Sequence, residues 1–175
     1  MDLMGLDKIA IQDSLLKKVT KFLVGIGIEY CYTDEEFDSF LPGVRIEHGS
    51  LKINSNKLIC IGDILHEAGH LACLPSNLRK KADDNIGESL GDEHTYELGV
   101  IAWSVAAALH LEIPLSEIFH TNGYKGDAKW LRDQYATKNY LGLPLLQWME
   151  MAAFDDEIDG DTVLPYPKMI RWTRI

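Results

Sequence analysis

Apolar residues recur at helical spacing in four long stretches of the chain, and polar turn residues separate these stretches. The first covers about residues 8–28, where lysines between the apolar positions indicate a solvated face. The others are residues 59–74, residues 92–111, and residues 128–154 with an interruption near Gly142. This pattern predicts that most of the chain is helical.

Two shorter segments, residues 44–47 and 51–53, alternate apolar and polar positions on either side of His48-Gly49-Ser50. Such alternation around a tight turn is typical of an antiparallel hairpin. Residues 57–61 could add a third short strand before the second apolar stretch. Together the segments predict an α+β domain that is mainly helical, with a small antiparallel sheet beside the helix of residues 59–74.

Composition narrows the class of protein further. A chain of 175 residues, 46% of them hydrophobic, can bury one core, so residues 1–175 are expected to form a single domain. The net charge of −10 argues against the basic patch that nucleic-acid binding needs. No apolar run approaches the roughly 20 residues that span a bilayer. We therefore expect neither a nucleic-acid partner nor a membrane partner.

The N-terminus and the cysteines bear on the cellular compartment. Residues 1–5 lack a basic region followed by an apolar one, so no secretory signal is expected. Cys31, Cys60 and Cys73 are too few and too scattered for a disulfide framework. A reducing cytoplasm is the expected location.

The most specific chemical signal is His66-Glu67-Ala68-Gly69-His70, an HExxH segment inside the second apolar stretch. On a helix, positions i and i+4 share a face, so both imidazoles can reach one metal ion. Glu67 lies beside them, where it could take a proton from a water at the metal. Asp63 is expected to cap a helix that starts at Ile64, and Pro75 is expected to end it. The alternative is a buried helix whose two histidines are satisfied by hydrogen bonds.

A catalytic zinc site usually has three protein ligands and one open position. The extended motif HExxHxxGxxH would need glycine at 73 and histidine at 76, but the chain has Cys73 and Ser76 there. The third ligand is therefore expected to be a glutamate from a later segment. Glu88, Glu93 and Glu97 are the candidates.

A helix with HExxH, preceded by a hairpin and followed by a second helix with glutamate, resembles the gluzincin group of zinc metallopeptidases over residues 44–111. The segment from Glu88 to Asp92 is similar to the Glu-x-x-x-Asp segment of thermolysin-like peptidases. However, Gly87 and Gly91 predict that no helix passes through Glu88.

The segment from Glu97 to Trp103 resembles the Glu-x-x-Ala-x-x-Phe-Ala pattern of small cytoplasmic gluzincins that cleave phage repressors and act in radiation response. Val100 replaces the first alanine of that pattern, and Pro114 falls later than the usual proline. The resemblance implies Zn²⁺ as the metal ion. Its ligands would be His66, His70 and Glu97, with Glu93 as the second choice for the third ligand and Glu88 as the next.

A polar turn after the third apolar stretch contains His120 and Tyr124. Zincin sites often use a His or Tyr donor to stabilise the oxyanion that forms when water attacks a carbonyl. Either residue could supply that hydrogen bond. The alternative is a loop whose tyrosine packs against the core.

Three other side chains could also bind a metal ion by their chemistry. Cys73 lies at i+7 from His66, but we interpret it as a buried, inert thiol. His94 and His110 lie among apolar residues, and we interpret both as packing residues.

The expected activity is zinc-dependent hydrolysis of a peptide or amide bond, with Glu67 as general base. The substrate would be a peptide or protein, and an exposed strand of the hairpin could align it by backbone pairing. The rival hypothesis is a metal-binding module without turnover that acts as a structural or partner-binding unit. The presence of Glu67 favours the enzyme, because a structural site needs ligands but no base. Nothing in the sequence indicates the oligomeric state.

Overall fold

The computed structural model describes residues 3–121, 124–154, 157–158 and 161–175. The helices are α1 (Leu3–Gly25), α2 (Ile61–Cys73), α3 (Ser76–Arg79), α4 (Ile86–Leu90), α5 (Glu97–His110), α6 (Leu115–Ile118), α7 (Ala128–Ala136) and α8 (Leu143–Trp148), with 3₁₀ helices at Asp92–His94 and Tyr124–Gly126. The strands are β1 (Tyr30–Tyr32), β2 (Val44–Glu47), β3 (Ser50–Ile53), β4 (Glu157–Ile158) and β5 (Asp161–Thr162).

The chain is mixed α+β, about half helical, with a small three-stranded sheet. The expected α+β class with more helix than strand is therefore confirmed. Of the polar turn expected at 120–127, Asn122 and Gly123 lie outside the described residues. Across the part of the chain that is described, no helix is both long and apolar enough to cross a membrane.

Helices α2 and α5 pack against each other at the centre of the molecule. Gly69 lies where a Cβ atom would come within 3.0 Å of the Val100 side chain and 3.3 Å of the Trp103 ring. The hydroxyl of Ser104 donates to the Leu65 carbonyl oxygen across this interface, at 3.2 Å. Small residues at the contact therefore let the two helices approach closely.

The sheet has the order β1-β3-β2 and packs on α2. The predicted hairpin is confirmed, since β2 and β3 are antiparallel with Val44 opposite Ile53. The strand expected at residues 57–61 is wrong, because the Lys57 and Leu58 amides turn back to the Asn54 carbonyl and α2 begins at residue 61. The third strand is instead β1, which runs parallel to β3. Its three residues are too few to show an alternating pattern.

The start of α2 differs from the prediction. The helix begins at Ile61 with Cys60 as its N-cap residue, so Asp63 lies within the first turn and does not cap it. The Asp63 carboxylate instead pairs with His120, 2.8 Å away. At the other end, the helix stops at Cys73 and Leu74 is extended, as expected for a residue before proline.

The second long helix begins later than predicted. Residues Asp92–His94 form a separate 3₁₀ helix, and α5 starts at Glu97 after Tyr96, which has left-handed backbone angles (φ 47°, ψ 33°). Glu93 therefore does not lie one turn before Glu97 on the same helix. The prediction that glycines exclude a helix at Glu88 is also wrong, because the Asn85 side chain caps α4 by accepting from the Glu88 amide.

The C-terminal residues tie several helices together. The Trp103 indole of α5 donates to the Trp172 carbonyl oxygen at 2.9 Å. The Trp172 ring also packs edge-to-face on Phe22 of α1, with centroids 4.9 Å apart. The Arg174 amide donates to the Ala72 carbonyl at the end of α2, at 2.8 Å. These contacts connect α1, α2 and α5 through one terminal segment.

We predict that the contact between α2 and α6 tolerates no side chain at Gly62. A Cβ atom there would lie 1.9 Å from the Glu117 carbonyl oxygen, so Gly62→Ala should destabilise the protein by about 1–3 kcal/mol through overpacking. Gly25→Ala is the matched control. It meets nothing within 4 Å and should be neutral or stabilising by up to about 1 kcal/mol. Urea unfolding would measure both, and equal stabilities would contradict the prediction.

Candidate metal centre

The structure brings His66, His70 and Glu97 together on the facing surfaces of α2 and α5. His66 Nε2 is 3.3 Å from one carboxylate oxygen of Glu97, and His70 Nε2 is 3.5 Å from the other. The two imidazole rings are nearly perpendicular, with centroids 5.0 Å apart. One ligand atom from each residue lies within 4.8 Å of the other two. The group could hold a metal ion.

The spacing of these atoms fits a small metal ion. Ligands about 2.0–2.1 Å from a tetrahedral ion lie about 3.3 Å from one another. The two nitrogen–oxygen distances, 3.3 Å and 3.5 Å, are close to that value, although each joins a histidine to a different Glu97 oxygen, and one ligand atom from each residue lies within 4.8 Å of the others. Two imidazoles and one carboxylate bind zinc in many enzymes, and they also bind non-haem iron(II). Two imidazoles and a carboxylate therefore suit a divalent transition-metal ion, but they do not distinguish zinc from iron(II).

The exposure of the three side chains is uneven. His66 and His70 on α2 are 11% and 12% exposed, whereas the Glu97 side chain in the first turn of α5 is 54% exposed. The two histidines on α2 are therefore shielded from solvent, whereas solvent reaches the group on the Glu97 side.

His66 and Glu97 each favour the charged form of the other. Burial opposes the charged form of His66, but the Glu97 carboxylate outweighs burial and raises the pKa of His66. For Glu97, burial favours the neutral acid, but His66 outweighs it and lowers the pKa of the carboxyl. Burial and the neighbouring His66 lower the pKa of His70 to about 4, so this ring is neutral at pH 7. A cation bound here would favour the neutral form of His66.

Glu67 lies beside this group but is not part of it. The residue is buried at 6% exposure, and burial raises the pKa of its carboxyl to about 8. The nearby carboxylates of Asp84, Glu97 and Asp63 act in the same direction. A carboxyl with a pKa near neutrality can both accept and release a proton under physiological conditions.

The two candidate oxyanion donors have different surroundings. His120 is paired with Asp63 through its Nε2 atom, 2.8 Å from the carboxylate, and both residues are largely buried. Tyr124 is half-buried and packs edge-to-face near His66, with ring centroids 6.2 Å apart. Burial raises the pKa of the Tyr124 hydroxyl, which keeps it protonated as a donor. Tyr124 is therefore the candidate whose ring lies beside His66.

The role of Asp63 was missed by the sequence interpretation, which assigned it to the helix cap. The available signal was its position three residues before His66, which places both on one face of α2. Its partner His120 is 57 residues away in sequence, so the pairing needed the tertiary structure.

The other candidate ligands lie apart from the group. The Glu93 side chain is 75% exposed, with its carboxylate 4.0 Å from His94, and Glu88 is exposed on α4. His94 is bonded to the Tyr96 hydroxyl at 3.1 Å. Cys73 is fully buried, and burial raises the pKa of its thiol to about 12. Among the residues that the structure describes, only His66, His70 and Glu97 form a group with metal-ligand spacing.

Comparison with known proteins adds no relative. No protein-family model, curated protein or solved structure matches the chain. The likeness to gluzincins therefore remains an expectation from the sequence, and the structure supports a group of His66, His70 and Glu97 that could bind a metal ion.

We predict that Glu97, and not Glu93, supports metal binding. Glu97→Gln removes the anionic oxygen ligand and should weaken zinc affinity by at least about 10-fold, whereas the exposed Glu93→Gln should leave it unchanged. Competition with a chromophoric chelator would measure both affinities. A larger loss in Glu93→Gln than in Glu97→Gln would reassign the third ligand.

Proposed function

We propose that this protein is a zinc-dependent hydrolase that cleaves a peptide or amide bond, and that His66, His70 and Glu97 hold the ion. The observation that carries the proposal is the position of Glu67. A buried carboxyl follows the first histidine directly and remains free of the ligand group. Metal binding alone does not require such a carboxyl, but hydrolysis requires a base at this place.

Zinc bound by these residues would supply a Lewis acid that acidifies water and polarises a carbonyl group. Glu67 would accept the proton of the attacking water and then donate it to the leaving amine. The pKa of Glu67, raised to about 8 by burial, falls when positive charge is brought near, which prepares the carboxylate for the first of these transfers.

Tyr124 would stabilise the oxyanion that forms at the carbonyl. Its ring already faces His66, and its hydroxyl stays protonated because burial raises its pKa. His120 would act less directly, since its Nε2 atom is engaged with Asp63. We place Tyr124 ahead of His120 in this role.

The ligand count supports an enzyme over a structural module. Structural zinc sites are usually closed by four protein ligands, whereas catalytic sites use three and leave one position open. No fourth His, Cys, Asp or Glu joins the group within residues 3–121, 124–154, 157–158 and 161–175. The partial exposure of Glu97 gives a substrate a route to the open position.

Substrate alignment on the hairpin is restricted by contacts within the chain. At the free edge of β2, the Val44 amide donates to the Leu41 carbonyl oxygen at 3.3 Å. The Ile46 amide interacts with the Asp84 carboxylate and lowers its pKa, although burial of that carboxyl is the larger effect and raises it. A peptide substrate would therefore depend on side-chain contacts near Glu97 more than on strand pairing with β2.

We predict that Glu67→Gln abolishes hydrolysis and spares metal binding. Glutamine keeps the size of the side chain but cannot accept the proton, so turnover should fall by about 10²–10⁴-fold. Elemental mass spectrometry should find about one equivalent of zinc in both proteins. Chelation should stop wild-type activity, and added zinc should restore it. Loss of zinc from Glu67→Gln would refute the base assignment, and wild-type protein without metal would refute the site.

We also predict a specific kinetic defect in Tyr124→Phe. Removal of the hydroxyl takes away a donor to the oxyanion, so kcat should fall by about 10-fold or more while KM and zinc affinity change little. Steady-state kinetics would show this, with Tyr30→Phe, on the distant strand β1, as the matched control. An unchanged kcat would show that Tyr124 does not stabilise the oxyanion and that another group must donate to it.

A further inference from the structure

Glu97 is the ligand whose position depends most on its surroundings. It is the first residue of α5, and its side chain is 54% exposed, so packing around the carboxylate restrains it little. The preceding residue, Tyr96, has φ 47° and ψ 33°. Side chains other than glycine and asparagine rarely adopt this conformation, so neighbouring contacts must hold it in place.

His94 supplies one of those contacts, with its Nδ1 atom 3.1 Å from the Tyr96 hydroxyl, and Arg174 supplies others that reach beyond the local segment. The guanidinium donates to the Tyr96 hydroxyl at 3.3 Å and lies 5.6 Å from the centre of the Tyr96 ring. The same guanidinium lies over the Trp148 ring at 4.3 Å, and that ring packs on Tyr96 with centroids 6.0 Å apart. Arg174 is therefore held between two aromatic rings, one of which belongs to the residue before Glu97.

The main chain of Arg174 is bound to the helix that carries the two histidines. Its amide donates to the Ala72 carbonyl oxygen at 2.8 Å, and its carbonyl accepts from the Arg79 guanidinium at 2.8 Å. Arg79 in turn donates to the carbonyl oxygens of Leu71 and Leu74 at the end of α2. One residue thus connects the C-terminal end of α2 with the N-terminal end of α5.

We propose that Arg174 is a positioning residue that sets Glu97 opposite His66 and His70 by holding Tyr96 in its left-handed conformation. Its main chain is fixed by a hydrogen bond to Ala72 at the end of α2, and its side chain contacts Tyr96, the residue directly before α5. Arg174 would thereby control the affinity of the site for a metal ion. This inference rests on the proposed metal site but not on turnover.

Substitution of Arg174 separates this role from general stability, because the backbone bonds of residue 174 remain in every variant. Arg174→Ala should weaken zinc affinity by about 10-fold, the lower range for residues that orient metal ligands. Arg171→Ala is the matched control, since Arg171 lies in the same segment and pairs with Glu150 at 3.6 Å. It should leave zinc affinity unchanged. The metal-free melting temperatures of the two variants should be similar.

A double-mutant cycle tests whether Arg174 acts through Tyr96. In a Tyr96→Leu background, which lacks the ring and the hydroxyl, Arg174→Ala should cause little further loss of zinc affinity. An equal loss in both backgrounds would overturn the proposal. So would a loss no larger than that of Arg171→Ala.

A metal-free measurement keeps this inference distinct from the proposed function. The Val100 amide donates to the Tyr96 carbonyl oxygen at 3.0 Å and reports on the first turn of α5. Hydrogen exchange at Val100 should accelerate in Arg174→Ala but not in Arg171→Ala. If wild-type protein bound no zinc, the proposed function would fail, but the hydrogen-exchange measurement at Val100 would still show whether Arg174 holds Tyr96. Unchanged exchange would overturn the proposal.

Discussion

The close packing of α2 on α5 is the contact on which the rest of the site depends. At Gly69, three residues after His66 and directly before His70, the absence of a side chain lets Val100 and Trp103 of α5 lie against α2. This approach places the first turn of α5 beside the His66 and His70 rings, so Glu97 spans both Nε2 atoms. Larger residues at this contact would separate the helices and enlarge the 3.3–3.5 Å distances that suit a metal ion.

That packing also brings charged groups out of water. Two imidazoles, the Glu67 carboxyl and Asp63 are all largely buried on one helix, and such groups are costly to bury unless they are paired. Two pairs of oppositely charged or hydrogen-bonding side chains offset part of this cost. The His66 ring lies 3.3 Å from a Glu97 carboxylate oxygen, and the His120 ring lies 2.8 Å from the Asp63 carboxylate. Burial raises the pKa of the Glu67 carboxyl to about 8 and outweighs the opposite effect of His66, which favours the protonated form of Glu67 at pH 7. A cation at the site would favour the deprotonated carboxylate of Glu67 and the neutral ring of His66.

Local rules predicted most of the elements that frame this centre, and two of the errors concern residues that make long-range contacts. The hairpin and the two long buried helices follow from periodicity, and Pro75 sets the end of α2. The cap predicted at Asp63 is wrong because α2 begins at Ile61, and the carboxylate instead pairs with His120, which is distant in sequence. The predicted start of α5 is too early because Tyr96 interrupts the helix. Asp63 and Tyr96 both contact residues that are distant in sequence, which local propensity does not register.

The amino-acid sequence by itself determined the pair of histidines and their neighbour Glu67. The i and i+4 spacing on a helix follows from covalent geometry and needs no tertiary contact. The choice among Glu88, Glu93 and Glu97 depended on the tertiary structure, because the distance from α2 to a later segment depends on packing. Side-chain volumes at Gly69 and the contacts that hold Tyr96 determine that distance. Periodicity orients a residue within its own helix, but only the packed core decides which residue of another helix it meets.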